Sequence, residues 1–255
     1  MLATVLEAIR RPLPRRRLAV GRPRLSFVPS LAVALVACSP SPRATTVPAA
    51  PDSADARYFA LGDSFTAGTG STPDQSFPAR LVAHWAATSR CPVALTNLGV
   101  NGYTTDDLIA RELPYLDASS PKPQIVTLAI GANDIVHGSP LDRYRDQVRE
   151  ILAGVVASGV KHIVAIPQPD WSLSPMAAAF GSEPALHAKI VAFNGVLRAE
   201  TEHVDGVYVD LFPEMEAEAE AHRLASDGLH PSAVAYDAWA VSLAKAVAPP
   251  CGASK

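Results

Sequence analysis

Four short segments of this 255-residue chain carry a hydroxyl, an imidazole, a carboxylate and amide donors. Together these groups suit base-activated attack by a serine, with stabilisation of an oxyanion. The first segment is Gly62-Asp63-Ser64-Phe65-Thr66-Ala67-Gly68. A serine at a strand-to-helix junction exposes its hydroxyl and aims its backbone N–H at a bound anion. The second, Asn97-Leu98-Gly99-Val100-Asn101-Gly102-Tyr103-Thr104-Thr105, has glycines that let backbone N–H groups approach a ligand closely. The third, Gly131-Ala132-Asn133-Asp134-Ile135, offers the uncharged amide donor of Asn133. The fourth is Ser226-Asp227-Gly228-Leu229-His230-Pro231-Ser232. Its Asp227 and His230 stand three apart on one loop, so the carboxylate can orient the imidazole as a base. Each segment also has a plainer account. Asp63 and Ser64 can cap a helix, Thr104 or Thr105 can cap another, Asn133 suits a turn, and Pro231 suits the first turn of a helix. Order and placement favour the joint reading.

The elements that must position these residues follow from hydrophobic pattern. Short, continuous apolar runs predict strands at Tyr58–Leu61, Val93–Leu98, Gln124–Ile130, His162–Ile166 and Val207–Val209. Helical spacing links Phe77, Leu81 and Trp85; Leu141, Tyr144, Val148, Leu152 and Val155; Leu186, Ile190, Phe193 and Leu197; and Tyr236, Trp239 (or Ala240), Leu243 and Val247. Alternation of this kind predicts a parallel sheet covered by helices on both faces. Three of the four segments follow strands and the fourth precedes the last helix, so all four can meet at the carboxyl edge of the sheet.

Charge separates one end of the chain from the rest. The net charge is −3. Arg10, Arg11, Arg15, Arg16, Arg17, Arg22 and Arg24 precede residue 25 against the single acid Glu7, so the remainder is acidic and no nucleic-acid partner is expected. The arginines lead into the apolar run 25–37 and then Cys38, the pattern of an export signal. Leu35-Val36-Ala37-Cys38 resembles a bacterial lipobox, whose cysteine is lipidated after cleavage; a plain signal peptide or a short membrane anchor are the other readings. Residues 1–37 are therefore expected to be a leader, 38–56 a Pro/Ser/Ala-rich tether and 57–251 the folded domain. The leader is long, and an internal start such as Val20 is an alternative to Met1.

The segments GDSF, the stretch from Asn97 through Gly102, GAND and DGLHPS resemble the four hallmark blocks of the SGNH/GDSL hydrolases, over about residues 57–248. The resemblance implies a flavodoxin-like three-layer α/β/α sandwich with a parallel sheet of about five strands. It implies a carboxylic ester hydrolase with Ser64 as nucleophile, His230 as base and Asp227 as its partner. The oxyanion hole would comprise the Ser64 N–H, the Gly102 N–H and the Asn133 amide. Gly99 competes with Gly102; Gly102 is preferred because it precedes the threonines that should open a helix. Ile166-Pro167-Gln168-Pro169-Asp170-Trp171-Ser172-Leu173-Ser174-Pro175 is similar to an IPDW-S-x-P segment of some bacterial members, with an apparent insertion at Gln168 and Pro169. It suggests Trp171, Met176 and Phe180 as pocket wall, or as residues that only pack the loop down. In such a fold the first and last helices share a face, which pairs Cys91 with Cys251.

No cofactor or metal is expected, since the remaining Asp, Glu and His show no tight ligand spacing; Asp205, Asp210 and Glu214 read as surface charges. Expected partners are a small-molecule, lipid or sugar ester and a membrane reached through Cys38, with the protein a monomer in the cell envelope. Competing functions are a carbohydrate O-acetylesterase or acyltransferase acting on envelope polysaccharide, and a non-catalytic surface binding protein.

Overall fold

The computed structural model describes residues 56–89 and 91–251. The expected leader, Cys38 and the tether up to residue 55 lie outside the described residues. Among the described residues five strands, β1 Ala56–Gly62, β2 Val93–Asn97, β3 Ile125–Ala129, β4 His162–Ala165 and β5 Val207–Tyr208, form one sheet in the order β2-β1-β3-β4-β5. Every pairing is parallel. Covered on both faces, β3 is buried at all of its positions and β1 at all but Arg57. That is why these strands read as continuous apolar runs rather than alternations.

The α-helical segments around the sheet, among the same residues, are α1 Ser64–Ala67, α2 Phe77–Thr88, α3 Thr105–Asp107, α4 Leu113–Ala118, α5 Ala132–Val136, α6 Leu141–Ala157, α7 Glu183–His203, α8 Phe212–Glu220 and α9 Ala233–Ala246. A π-helical turn, Leu108–Glu112, joins α3 to α4. Right-handed crossovers set the layers. The step from β1 to β2 runs one way through α2; the later steps run the other way through α4, α6 and α7. Hence α2 and the returning α9 pack together on one face, and α6 packs with α7 on the other. The result is the expected three-layer α/β/α architecture.

Aromatic contacts join the layers. Phe77 of α2 lies 6.4 Å from Trp239 of α9, and Trp85 Nε1 donates to Val247 O at 2.9 Å. On the other face Tyr144 stacks on Phe193 at 4.4 Å. Tyr58 packs edge-on against Trp85 at 5.8 Å, while its hydroxyl shares a hydrogen bond with Thr127 Oγ1 at 2.7 Å.

The strands agree with the sequence pattern to within a few residues; β1 begins at Ala56, two residues before the expected Tyr58. Helix α8 is not evident in the pattern, because Glu214, Glu216, Glu218 and Glu220 make it look solvated. It nevertheless buries Met215 and Glu218. Glu218 Oε2 accepts from Trp239 Nε1 at 2.8 Å, and burial, opposed by that bond, pushes its carboxyl up to about 7. Among the described residues no helix is long and apolar enough to cross a membrane.

Cys91, just before β2, forms a disulfide with Cys251 after α9, with Cα atoms 6.1 Å apart and a sequence separation of 160. The pairing is the one the resemblance implied. Closing so long a loop restricts the unfolded chain. Replacing both cysteines with serine should lower the unfolding free energy by about 2–4 kcal/mol. Urea denaturation of the two proteins tests this, and coincident midpoints would refute it.

Candidate active site

Chain direction across the sheet reverses between β1 and β3, and loops leaving the carboxyl ends of strands at such a point flank a crevice. The register pairs Gly62 with Ala129, so the segments that follow, 63–64 and 130–133, leave the sheet side by side. Ser64 is the first residue of α1 and is 5% exposed. Asp63 caps the helix, its Oδ1 accepting from Phe65 N–H at 3.0 Å. The Ser64 N–H belongs to the first turn, where a helix supplies no acceptor of its own. Burial pushes the Asp63 carboxyl up to about 7, against the opposing Phe65 bond.

The second segment continues the ladder of β1. Leu98 N–H donates to Ala60 O at 2.8 Å and Val100 N–H to Gly62 O at 3.2 Å. Asn97 ties this segment to α1, its Nδ2 donating to Thr66 O at 2.8 Å while its Oδ1 accepts from Gly99 N–H at 3.1 Å. The Gly99 N–H is therefore occupied. A Cβ at Gly99 would stand 2.6 Å from Ala67 N, so this glycine serves close packing against α1. Gly102 differs: it is exposed, has φ +85°, and a Cβ there would meet nothing within 4 Å. Its N–H has no backbone partner among the described residues. Of the two, Gly102 is the one with a donor to offer.

Asn133, on α5, donates from Nδ2 to Tyr103 O at 2.9 Å. An amide NH2 has two hydrogens, so this bond fixes the group and leaves a second donor. Next to it the buried Asp134 accepts from Thr105 N–H at 3.1 Å and Thr105 Oγ1 at 2.5 Å. Burial raises its pKa, and the Thr105 bonds oppose the shift. The second and third segments are thus joined twice.

In the fourth segment His230 Nδ1 pairs with Asp227 Oδ2 at 2.7 Å. Asp227 Oδ1 also accepts the N–H groups of Leu229 and His230, each at 3.0 Å. Burial acts to raise the Asp227 pKa, but the Leu229 N–H and the His230 side chain and N–H outweigh it and hold it below the usual value. The His230 ring lies 5.6 Å from that of Phe65, the residue after Ser64. Among the described residues no hydrogen bond joins Ser64 Oγ to His230; such bonds commonly tighten only when substrate is bound. Ala225 N–H donates to His230 O at 2.7 Å, which closes the loop on itself.

The loop after β4 braces the fourth segment, since Ser174 Oγ donates to Gly228 O. Gln168, at the apparent insertion, is buried and exchanges two 3.0 Å hydrogen bonds with Asn194 through its backbone. Trp171 is 3% exposed and donates from Nε1 to Gln168 Oε1 at 3.0 Å; it packs the loop down, whereas Met176 and Phe180 face solvent. Asp170, His187 and Glu216 gather within 4.8 Å, a grouping that sequence spacing does not reveal. His187 Nδ1 bonds Asp170 Oδ2 at 2.5 Å, and this hydrogen bond chiefly raises the His187 pKa. Ser172 fills the other Asp170 oxygen.

Comparisons with known proteins agree with the fold. Residues 60–238 match the model of the GDSL-like lipase/acylhydrolase family. Among curated protein sequences none matches significantly. Similar solved structures include LAE5, described as an alpha/beta hydrolase enzyme from the metagenome of Lake Arreo, Spain, with 22% identity over 76% of this chain and 95% of that one, and a TM-score of 0.62. Axe2, an acetylxylan esterase from Geobacillus stearothermophilus, is 19% identical over 79% and 96% of the two chains, with a TM-score of 0.61. A serine-to-alanine mutant of the esterase AlinE4 is 24% identical over 75% and 94%, with a TM-score of 0.56.

The contrast between the two glycines has a measurable consequence. Gly99→Ala forces Thr66 and Ala67 to shift and should destabilise the protein more than Gly102→Ala. The cost of the latter is limited to left-handed strain of about 1–2 kcal/mol. Chemical denaturation of both variants gives the ranking, and the reverse order would contradict the packing role of Gly99.

Proposed function

The chain belongs to the GDSL-like lipase/acylhydrolase family and is a carboxylic ester hydrolase; on that footing we propose that it works through an acyl-enzyme formed on Ser64. The observation that carries this reading is the Asp227–His230 pair held beside Phe65, one residue from Ser64. His230, oriented by Asp227, takes the Ser64 proton as the hydroxyl oxygen attacks the ester carbonyl. Negative charge develops on the carbonyl oxygen, and the Ser64 N–H, the Gly102 N–H and the second Asn133 N–H receive it. His230 then gives its proton to the departing alcohol. Water, deprotonated by the same imidazole, attacks the acyl-serine; the acyl–Oγ bond breaks, His230 returns the proton to Ser64 Oγ, and the acid leaves. The chain's own groups account for each proton and each charge.

Two further readings belong to the proposal. An O-acetyl group on a carbohydrate is a substrate class to test beside simple esters, because a protein of the same fold is an acetylxylan esterase. Export with lipidation at Cys38 rests on the Leu35-Val36-Ala37-Cys38 run, and a disulfide at Cys91–Cys251 suits an oxidising compartment. The protein would then act as a monomer tethered at a membrane surface.

Hydrolysis of p-nitrophenyl esters from acetate to palmitate, and of acetylated xylo-oligosaccharides, tests the site. Ser64→Ala should abolish turnover, and Asn133→Ala should lower kcat by on the order of 10²-fold. Turnover that survives in Ser64→Ala would rule out the serine mechanism. Incorporation of labelled palmitate in cells, lost in Cys38→Ser, tests the anchor; a wild-type protein that takes up no label would rule it out.

A further inference from the structure

Directly beneath the corner that presents Ser64 is a carboxyl group with no part in the chemistry above. Glu112 is 3% exposed, and its Oε2 accepts the Gly62 N–H at 3.0 Å. It ends the π-helical turn Leu108–Glu112. Such wide turns often occur at functional sites. The neighbouring Arg111 points outward, 5.7 Å above the Tyr103 ring. Among the described residues Glu112 has no ion-pair partner, and its Oε1 is buried without a hydrogen bond. Asp63, one residue along from Gly62, likewise leaves Oδ2 buried and unpartnered among the described residues. Two buried carboxyls at one corner without a cation do not both hold a charge near neutral pH, so a proton stays with the pair there.

We propose that Glu112 is a positioning residue that acts in its neutral form, holding the Gly62 end of the corner from which Ser64 attacks. The inference rests on the reading of Ser64 as nucleophile. The Gly62 N–H sits where the sheet ladder stops, and without an acceptor it would be buried and unpaired. The bond to Glu112 fixes the peptide two residues before the nucleophile, and with it the direction of the Ser64 N–H. Asp63 faces Glu112 from the β1–α1 corner. Behind Asp63 stand Asp134 of α5 and the hydroxyls of Tyr144 of α6 and Tyr236 of α9. None of these groups is a cation. Burial pushes the Glu112 carboxyl up to about 9, with the Gly62 bond opposing and Asp63 adding to the shift. A carboxyl raised in this way gives stability that is complete below its unfolded pKa, near 4.5, and is lost as pH rises through about 9.

The test compares Glu112→Gln and Glu112→Leu in the whole mature protein. Glutamine keeps an acceptor for Gly62 and cannot ionise; leucine keeps only bulk. Glu112→Gln should retain most of kcat and flatten the fall in stability between about pH 5 and pH 9. Glu112→Leu should lower kcat by about tenfold or more while KM stays near its wild-type value. Wild-type kcat in the leucine variant, or an unchanged pH slope in the glutamine variant, would overturn the proposal. If the leucine variant does not fold, the pH slope of Glu112→Gln decides alone. Ser64→Ala, measured in parallel, separates the two readings. Activity in Ser64→Ala defeats the nucleophile assignment, whereas a dead Ser64→Ala with unaffected Glu112 variants defeats only the positioning role.

Discussion

The sheet reverses its direction of growth between β1 and β3, and the placement of Ser64, Gly102 and Asn133 follows from that reversal. Because β2 lies on one side of β1 and β3 on the other, the loops leaving them diverge above the first strand and open a crevice. Ser64 leaves β1, Gly102 follows β2 and Asn133 follows β3, so three strand ends supply three of the components. The fourth, the Asp227–His230 loop, arrives from the far side of the sheet on the way into α9. It reaches the first strand's end because α9 packs beside α2, the helix that follows β1.

Hydrogen bonds between loops then convert proximity into fixed geometry. Asn97 bridges the second segment to Thr66, Asn133 bridges the third to Tyr103, Asp134 gathers both donors of Thr105, and Ser174 braces Gly228. The first three run from a side chain at one strand end to the backbone or side chain of another, and the last ties the loop after β4 to the loop before α9. Apolar contact alone positions a loop less sharply than these directional bonds. The cost is a group of buried acids, Asp63, Glu112 and Asp134, stabilised by neutral donors rather than by cations.

Much of this was readable in the amino-acid order. The inner strands β1 and β3 were visible because doubly covered strands lose their alternation, and the four segments were visible because each sits at a strand end or before a helix. Helix α8 escaped because its four glutamates mask an apolar stripe that meets α9. Glu112 escaped for a related reason. An acid beside Arg111 on a helical stretch looks solvated, whereas in the fold Glu112 closes a π-helical turn with its side chain buried. Gly99 and Gly102 were separable in the sequence only by their neighbours; the Asn97 side chain, which occupies one N–H and not the other, separates them physically. The Asp170–His187–Glu216 grouping draws on a loop and two helices far apart in sequence, so no local spacing could announce it.

The Cys91–Cys251 bridge encloses Gly102, Asn133, Asp227 and His230 within one covalent ring but leaves Ser64 outside it. A protease that cuts a surface loop between the two cysteines therefore opens the ring without splitting the polypeptide into separate pieces. Such a nicked molecule keeps its mass and can keep its packing. A cut between Ser64 and Cys91 instead leaves the serine on a fragment with no covalent link to those four residues. Vulnerability to digestion is thus concentrated in one short stretch, much of which is the helix α2 packed against α9.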